Sequence, residues 1–151
     1  METHDAVDLL AARLDIFDLE ARYARTWDTA DAEGWAHVFA HDGVFVLLGK
    51  EGRPERRYEG HEQLAKFCAD VNRGYTGLHF LHPPELQVRG DHATGHVYFQ
   101  FRYVVRGRPD ATHHGLEAGY YDVTYVRTLD GWRMQQRIEH GIVTQTASFF
   151  G

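Results

Sequence analysis

The chain opens on a helical pattern. Leu10, Leu14, Phe17, Ala21, Ala24 and Asp28 recur at steps of 4, 3, 4, 3 and 4, the spacing of one face of an α-helix. Five of the six are apolar and are expected to face a core. The sixth is a carboxylate on the same stripe, with Trp27 beside it and Tyr23 just above. A charged group on a core face is costly unless it is paired or lines a polar cavity. Asp28 is therefore a candidate functional acid. Its place near the helix end, shortly before Asp31, equally allows a solvated or capping acid.

A second, short helix is predicted through Trp35, Val38 and Phe39, with Asp31 as its N-cap. Asp42-Gly43 is a turn, and the apolar run Val44–Leu48 reads as a buried strand. Residues 49–54 form a loop into Arg56-Arg57-Tyr58. Gly60 breaks the chain before a third helix, in which Leu64, Phe67, Cys68 and Val71 take helical spacing. From Tyr75 the period changes to 2. Leu78–Leu81 and Leu86–Val88 read as strand, with Pro83-Pro84 between them marking an edge or bulge. A long strand begins at Asp91. One of its faces carries Ala93, Gly95, Val97, Phe99, Phe101, Tyr103 and Val105, and the other His96, Tyr98, Gln100 and Arg102. The next runs from about Gly115 to Thr128, with Ala118, Tyr120, Asp122, Thr124 and Val126 expected on one face. Asp130-Gly131 signals a hairpin into a last strand alternating at Trp132, Met134, Gln136 and Ile138. The tail from Gly141 ends in Phe149-Phe150, apolar enough to close a pocket or bind a neighbour. Helices first, with a strand inserted, then antiparallel strands, make an α+β fold with helices on one face of a bent sheet.

Composition narrows the classes. A chain of 151 residues is most simply one domain with a real core, with residues 1–8 expected to fray. The formal charge of −6, from interspersed acids and bases, argues against a nucleic-acid surface. No apolar run is long enough to span a bilayer, and the acidic Met1–Asp8 stretch does not read as a secretory signal. The single cysteine, Cys68, suits a reducing compartment, so a cytoplasmic location is expected. Aromatics at 13% and 11 histidines are the unusual figures, since aromatics can line an apolar pocket.

Two further residues could carry chemistry. His79, amid Leu78 and Phe80, is either a packed histidine or a proton shuttle oriented by Asp28, because a carboxylate on one ring nitrogen leaves the other free to move a proton. Asp122 lies in a strand of strong β formers, where aspartate is depleted. It is either a cross-strand partner of Arg102 or Arg137, or a base in an aromatic cavity. A metal site is not expected: His79 and His82 would point to opposite faces, as would His113 and His114. Cys68 reads as packing, and no nucleophile elbow or phosphate loop occurs.

The ordered set Tyr23-Ala24-Arg25, Trp27-Asp28, Asp31, Trp35, Phe39, Asp42-Gly43-Val44-Phe45, Tyr58-Glu59-Gly60-His61, His79-Phe80 and Asp130-Gly131-Trp132-Arg133 resembles a SnoaL-like domain. That family belongs to the nuclear transport factor 2-like superfamily, with ketosteroid isomerase, scytalone dehydratase and polyketide cyclases. The resemblance runs from about Leu10 to Ile138. It implies a cone-shaped α+β barrel, with N-terminal helices packed on a strongly curved, mixed but mostly antiparallel sheet around a pocket. In scytalone dehydratase-like members an aspartate ending the first helix pairs with a histidine on the strand after the third. Matched motif to motif, these are Asp28 and His79. Tyr103 falls where that dehydratase has a second histidine, and Trp27 where a water-holding tyrosine sits, so both depart from scytalone chemistry. In polyketide cyclases a late-strand aspartate is the base, for which Asp122 is the loose match.

The expectation is a small-molecule lyase, isomerase or cyclase that needs no organic cofactor and no metal. Asp28, His79, Asp122 and Tyr103 would be its catalytic groups. A hydrophobic, polycyclic or aromatic substrate would lie against Tyr23, Trp27, Phe45, Val97, Phe99, Phe101, Tyr120 and Trp132. The partners expected are a second or third copy of the chain, and neither nucleic acid nor membrane. The alternative is a non-catalytic binder of hydrophobic ligands, or an assembly module like an oxygenase beta subunit.

Overall fold

The structure, a computed structural model, describes residues 3–107 and 113–148. Three helices, α1 (Thr3–Asp28), α2 (Ala32–Ala36) and α3 (Gly60–Gly74), interleave with seven strands. The strands are β1 (Phe39–Leu47), β2 (Arg56–Glu59), β3 (Tyr75–Leu81), β4 (Glu85–Arg89), β5 (His92–Val105), β6 (His113–Thr128) and β7 (Gly131–Ser148). They form one sheet in the order β2-β1-β7-β6-β5-β3, with β4 also on β5. Only β1 and β7 pair in parallel. The fold is the expected α+β cone, its mixed sheet curled but not closed. Helix α1 begins at Thr3. Residues expected in a loose tail from Gly141 continue β7 to Ser148. Phe149 and Phe150 lie outside the described residues.

Helix α1 buries a different stripe from the one its first pattern suggests. Leu10 and Leu14 are each 58% exposed and Phe17 37%. The buried face is Ala12, Ile16, Leu19, Tyr23 and Trp27, which is equally regular at helical spacing. It wins because it brings two large aromatics to the sheet, and burial scales with apolar area. The same face carries Glu20, which is 3% exposed. Its carboxylate accepts from Arg137 Nη1 at 2.8 and 2.9 Å and from the Tyr125 hydroxyl at 2.5 Å. The Arg137 guanidinium is itself wholly buried, lying 3.8 Å over the Tyr23 ring and 3.9 Å over the Tyr121 ring.

The helix ends in a way that fixes Asp28. Ala30 has φ of 58°, its N–H donates to the Trp27 carbonyl at 2.9 Å, and Asp31 N–H donates to the Thr26 carbonyl at 2.8 Å. This is the Schellman arrangement, which satisfies the last carbonyls of the helix and turns the chain sharply. Asp31 then caps α2, its Oδ1 accepting from Gly34 N–H at 2.9 Å. Pro83 and Pro84 divide the sheet edge: β3 pairs with the second half of β5 and β4 with the first.

Candidate functional site

Strand β3 and helix α1 meet at Asp28. Its Oδ1 is 2.7 Å from His79 Nδ1, and its Oδ2 accepts from the His79 backbone N–H at 2.9 Å. The two contacts hold the carboxylate to both the ring and the strand edge. Asp28 can only accept when ionised, so Nδ1 carries the ring proton and Nε2 keeps its lone pair. The side chains are 12% and 6% exposed. The imidazole is packed by Phe101 at 4.5 Å, Tyr23 at 5.7 Å and Trp27 at 6.0 Å between centroids. Burial lowers its pKa below the ordinary histidine value, and the Asp28 hydrogen bond and charge oppose that. A neutral, oriented imidazole is the form in which histidine accepts a proton.

His79 borders a cavity of about 640 Å³ between the helices and the concave side of the sheet. Tyr23, Trp27, Phe45, Phe99, Phe101 and Tyr103 line it. Tyr103 also lines a second hollow of about 570 Å³, which reaches Asp28. Gly115 has no side chain where the Tyr103 ring lies.

Four expected site residues are elsewhere. Val97 and Trp132 are buried at 0% and 3% exposure within the packed core, away from the cavity lining. Asp122 and Tyr120 are on the opposite face of the sheet. Asp122 takes His96 Nδ1 at 2.8 Å and His140 Nε2 at 3.0 Å, and its side chain is 50% exposed. Tyr120 stacks on His140 with centroids 4.4 Å apart. The inward residues of β6 are Tyr121, Val123 and Tyr125, so its pattern is one residue out of phase with the expectation. Both phases of this strand are rich in apolar and aromatic residues, and only the pairing chooses between them. Neither Arg102 nor Arg137 is the partner of Asp122.

The cavity also holds charged residues that the pattern does not reveal. Glu139 and Glu117 line it, with Lys50, Arg53 and Arg56 on the side of the loop between β1 and β2. Lys50 Nζ donates to Glu117 Oε1 at 2.7 Å and to Thr144 Oγ1 at 3.0 Å. Burial pushes the Glu139 carboxyl up to about 7, and the nearby Glu117 charge pushes the same way. Arg137, Lys50 and Arg56 act against that shift. The reason Glu139 faces inward is a bulge: Tyr125 pairs with Met134 but Thr124 pairs with Gln136. The extra residue, Gln135, turns the even-numbered inward series of Trp132 and Met134 into the odd-numbered one of Arg137 and Glu139. Gly141 lies inside β7, where Lys50 and Glu117 fill the space a side chain would take. Among the described residues, no group of three or more His, Cys, Asp or Glu side chains is arranged to hold a metal ion. No described helix is long and apolar enough to cross a membrane.

Comparison with known proteins adds the family. No curated protein matches the chain. Among solved structures, Rv3472 of Mycobacterium tuberculosis, described as of unknown function, is 26% identical with a TM-score of 0.74, over 94% of this chain and 77% of that one. A putative aromatic ring hydroxylase from Novosphingobium aromaticivorans is 25% identical with a TM-score of 0.79, over 91% and 94%. A hexachlorocyclohexane dehydrochlorinase, LinA-type3 of Novosphingobium barchaimii, has a TM-score of 0.78 over 95% of each chain, but at 19% identity it speaks for the fold alone. The sequence model of the SnoaL-like domain matches residues 8–138, and the chain belongs to that family.

Proposed function

We propose that the protein is a cofactor-independent acid–base enzyme of the lyase or isomerase kind, acting on a hydrophobic small molecule held in the cavity. The observation that carries this reading is the buried Asp28–His79 pair, with Nδ1 bonded at 2.7 Å and His79 on the wall of the cavity. His79 Nε2 removes a proton from carbon beside an electron-withdrawing group, and Asp28 stabilises the imidazolium that forms. Negative charge then develops on the substrate. Arg137, fixed behind the Tyr23 and Tyr121 walls, is paired with Glu20, so the field it adds is that of an oriented ion pair, and two of its nitrogens, Nε and Nη2, have no hydrogen-bond partner. Such preorganised charge acts strongly where water is excluded. Tyr103 offers a hydroxyl to the developing oxyanion. General acid–base work of this kind contributes roughly 10²–10⁴-fold.

His79→Ala and Asp28→Asn are expected to keep the fold, read by circular dichroism, and to abolish turnover of a carbonyl-bearing hydrophobic compound found by screening. Unchanged turnover in both variants would sink the reading.

Self-association of the chain is supported by one observation. The face of the sheet away from His79 and Phe99 leaves Leu78 57%, Phe80 52% and Tyr98 58% exposed. We read this face as the seat of another copy of the chain, giving a homodimer or homotrimer, which is compatible with the catalytic role.

A further inference from the structure

The cavity mouth carries more positive charge than its own side chains neutralise. Lys50 is bonded to Glu117 and Thr144, and Arg57, outside the cavity lining, is 3.5 Å from Glu59. Arg53 and Arg56 both line the cavity, yet neither has an ion-pair contact among the described residues. Their backbones are anchored. Arg53 N–H donates to the Lys50 carbonyl at 2.8 Å and its carbonyl accepts from Lys50 N–H at 3.1 Å, while Arg56 pairs with Leu47 at the start of β2. Arg53 lies within the field of Tyr103 and Arg56 within that of Glu139.

The acids that could neutralise them are already committed or weakly charged. Glu117 is held by Lys50 and Thr144. Glu139 faces Tyr23 from α1, Lys50 from the loop, Arg56 from β2, Glu117 and Tyr121 from β6, and Arg137 from its own strand. Behind the tyrosines, Arg137 is matched by Glu20. Phe45, Phe99, Phe101 and His79 line the same cavity.

We propose that Arg53 and Arg56 form an anion subsite at the cavity mouth, and that the substrate is an aromatic or alicyclic compound bearing a carboxylate or a comparably acidic oxygen group. Its ring lies among Phe45, Phe99 and Phe101, and its acid end meets the guanidiniums, whose planar fork matches a carboxylate in two hydrogen bonds. The inference names the substrate class for the proposed acid–base site, and rests on that reading for the reaction but not for binding. Glu139 adds a condition. With its carboxyl titrating near 7, it is neutral in mildly acidic solution and repels an anion once ionised, so binding of the acid weakens as pH rises through neutrality.

The test uses 2-naphthoate and its neutral counterpart 2-naphthamide, titrated calorimetrically into the full chain at pH 6. Wild type is expected to prefer naphthoate about tenfold, a difference of ~1.4 kcal/mol. In R53Q/R56Q that preference disappears while naphthamide affinity stays, which shows the cavity intact. H79A keeps the preference, so loss of the base and loss of the subsite are read separately. Equal affinities in wild type, a preference that survives in R53Q/R56Q, or binding of neither compound overturns the subsite. Between pH 6 and 8 naphthoate affinity falls several-fold in wild type and stays level in E139Q. A level profile in wild type removes Glu139 from the subsite.

Discussion

Replacing Glu20 with leucine isolates the contribution of the buried charge behind the cavity. Glu20 is 3% exposed and Arg137 fully buried, and the carboxylate accepts three hydrogen bonds from Arg137 and Tyr125. Leucine removes all three and leaves the guanidinium with no counter-charge among the rings of Tyr23 and Tyr121. Stacking on aromatic faces recovers only part of that loss, because a ring quadrupole contributes about 0.5–2 kcal/mol to a cation. Breaking one side of a buried pair costs roughly 3–5 kcal/mol, a large share of the ~5–15 kcal/mol that keeps a domain folded. At ~2–4 °C per kcal/mol for a chain of this size, the melting temperature should fall by about 6–20 °C. Urea unfolding followed by tryptophan fluorescence reads the same change. The decisive comparison is E20L/R137M, which removes both charges and should recover a substantial part of the stability lost in E20L. A loss below ~1 kcal/mol in E20L, or a double variant no more stable than E20L, would refute the claim that the pair is sealed from solvent.

Other expectations concern neighbouring features. Ala30 adopts a left-handed backbone at φ 58°, which costs a residue with a side chain roughly 1–2 kcal/mol. Ala30→Gly should therefore raise stability by up to about 1 kcal/mol after the entropy of the unfolded glycine is counted, and a lower urea midpoint would contradict it. Since burial holds His79 below its ordinary pKa, its base form persists down through 6.5 and turnover should decline only at lower pH. A pH–rate profile whose acid limb lies above 6.5 would count against the burial argument. Sedimentation velocity at micromolar concentration should show a dimer or trimer that F80E/Y98E reduces to monomer, and a monomeric wild type would rule that surface out as an interface.

Much of the fold is legible in the sequence because turns and periods agree. Asp31, Asp42-Gly43, Gly60 and Asp130-Gly131 each mark a boundary, and the inward face of β5 alternates without interruption from Ala93 to Phe101. The site is legible only in part. Asp28 drew notice through a stripe that proved to be the exposed side of α1. That helix has two apolar stripes at helical spacing, and Asp28 sits beside the buried one because it follows Trp27. His79 was found through its apolar setting in a strand. Glu139 and the inward placement of Arg137 escape the pattern because a period of 2 carries Gln136 and Ile138 inward, and a single bulged residue at Gln135 reverses the two sets. Asp122 was misplaced because β6 offers tyrosines in both phases. Glu20 draws no attention in the sequence. Its partner lies at the far end of the chain, and a local pattern carries no information about so distant a contact.

The parallel pairing of β1 with β7 sets an order of events during synthesis. Leu47 lies beside Glu139, so the wall next to Phe45 is completed only by β7, which follows every other described strand in the chain. Asp28 and His79 emerge long before, together with helices and edge strands that have nothing to close against. Contacts so far apart in the chain form slowly, and unpaired strand edges with uncovered aromatic surface aggregate while they wait. A nascent chain halted before residue 139 would thus possess Asp28 and His79 and lack the enclosure around them. Chaperone occupancy should concentrate in that interval of translation and end when β7 docks.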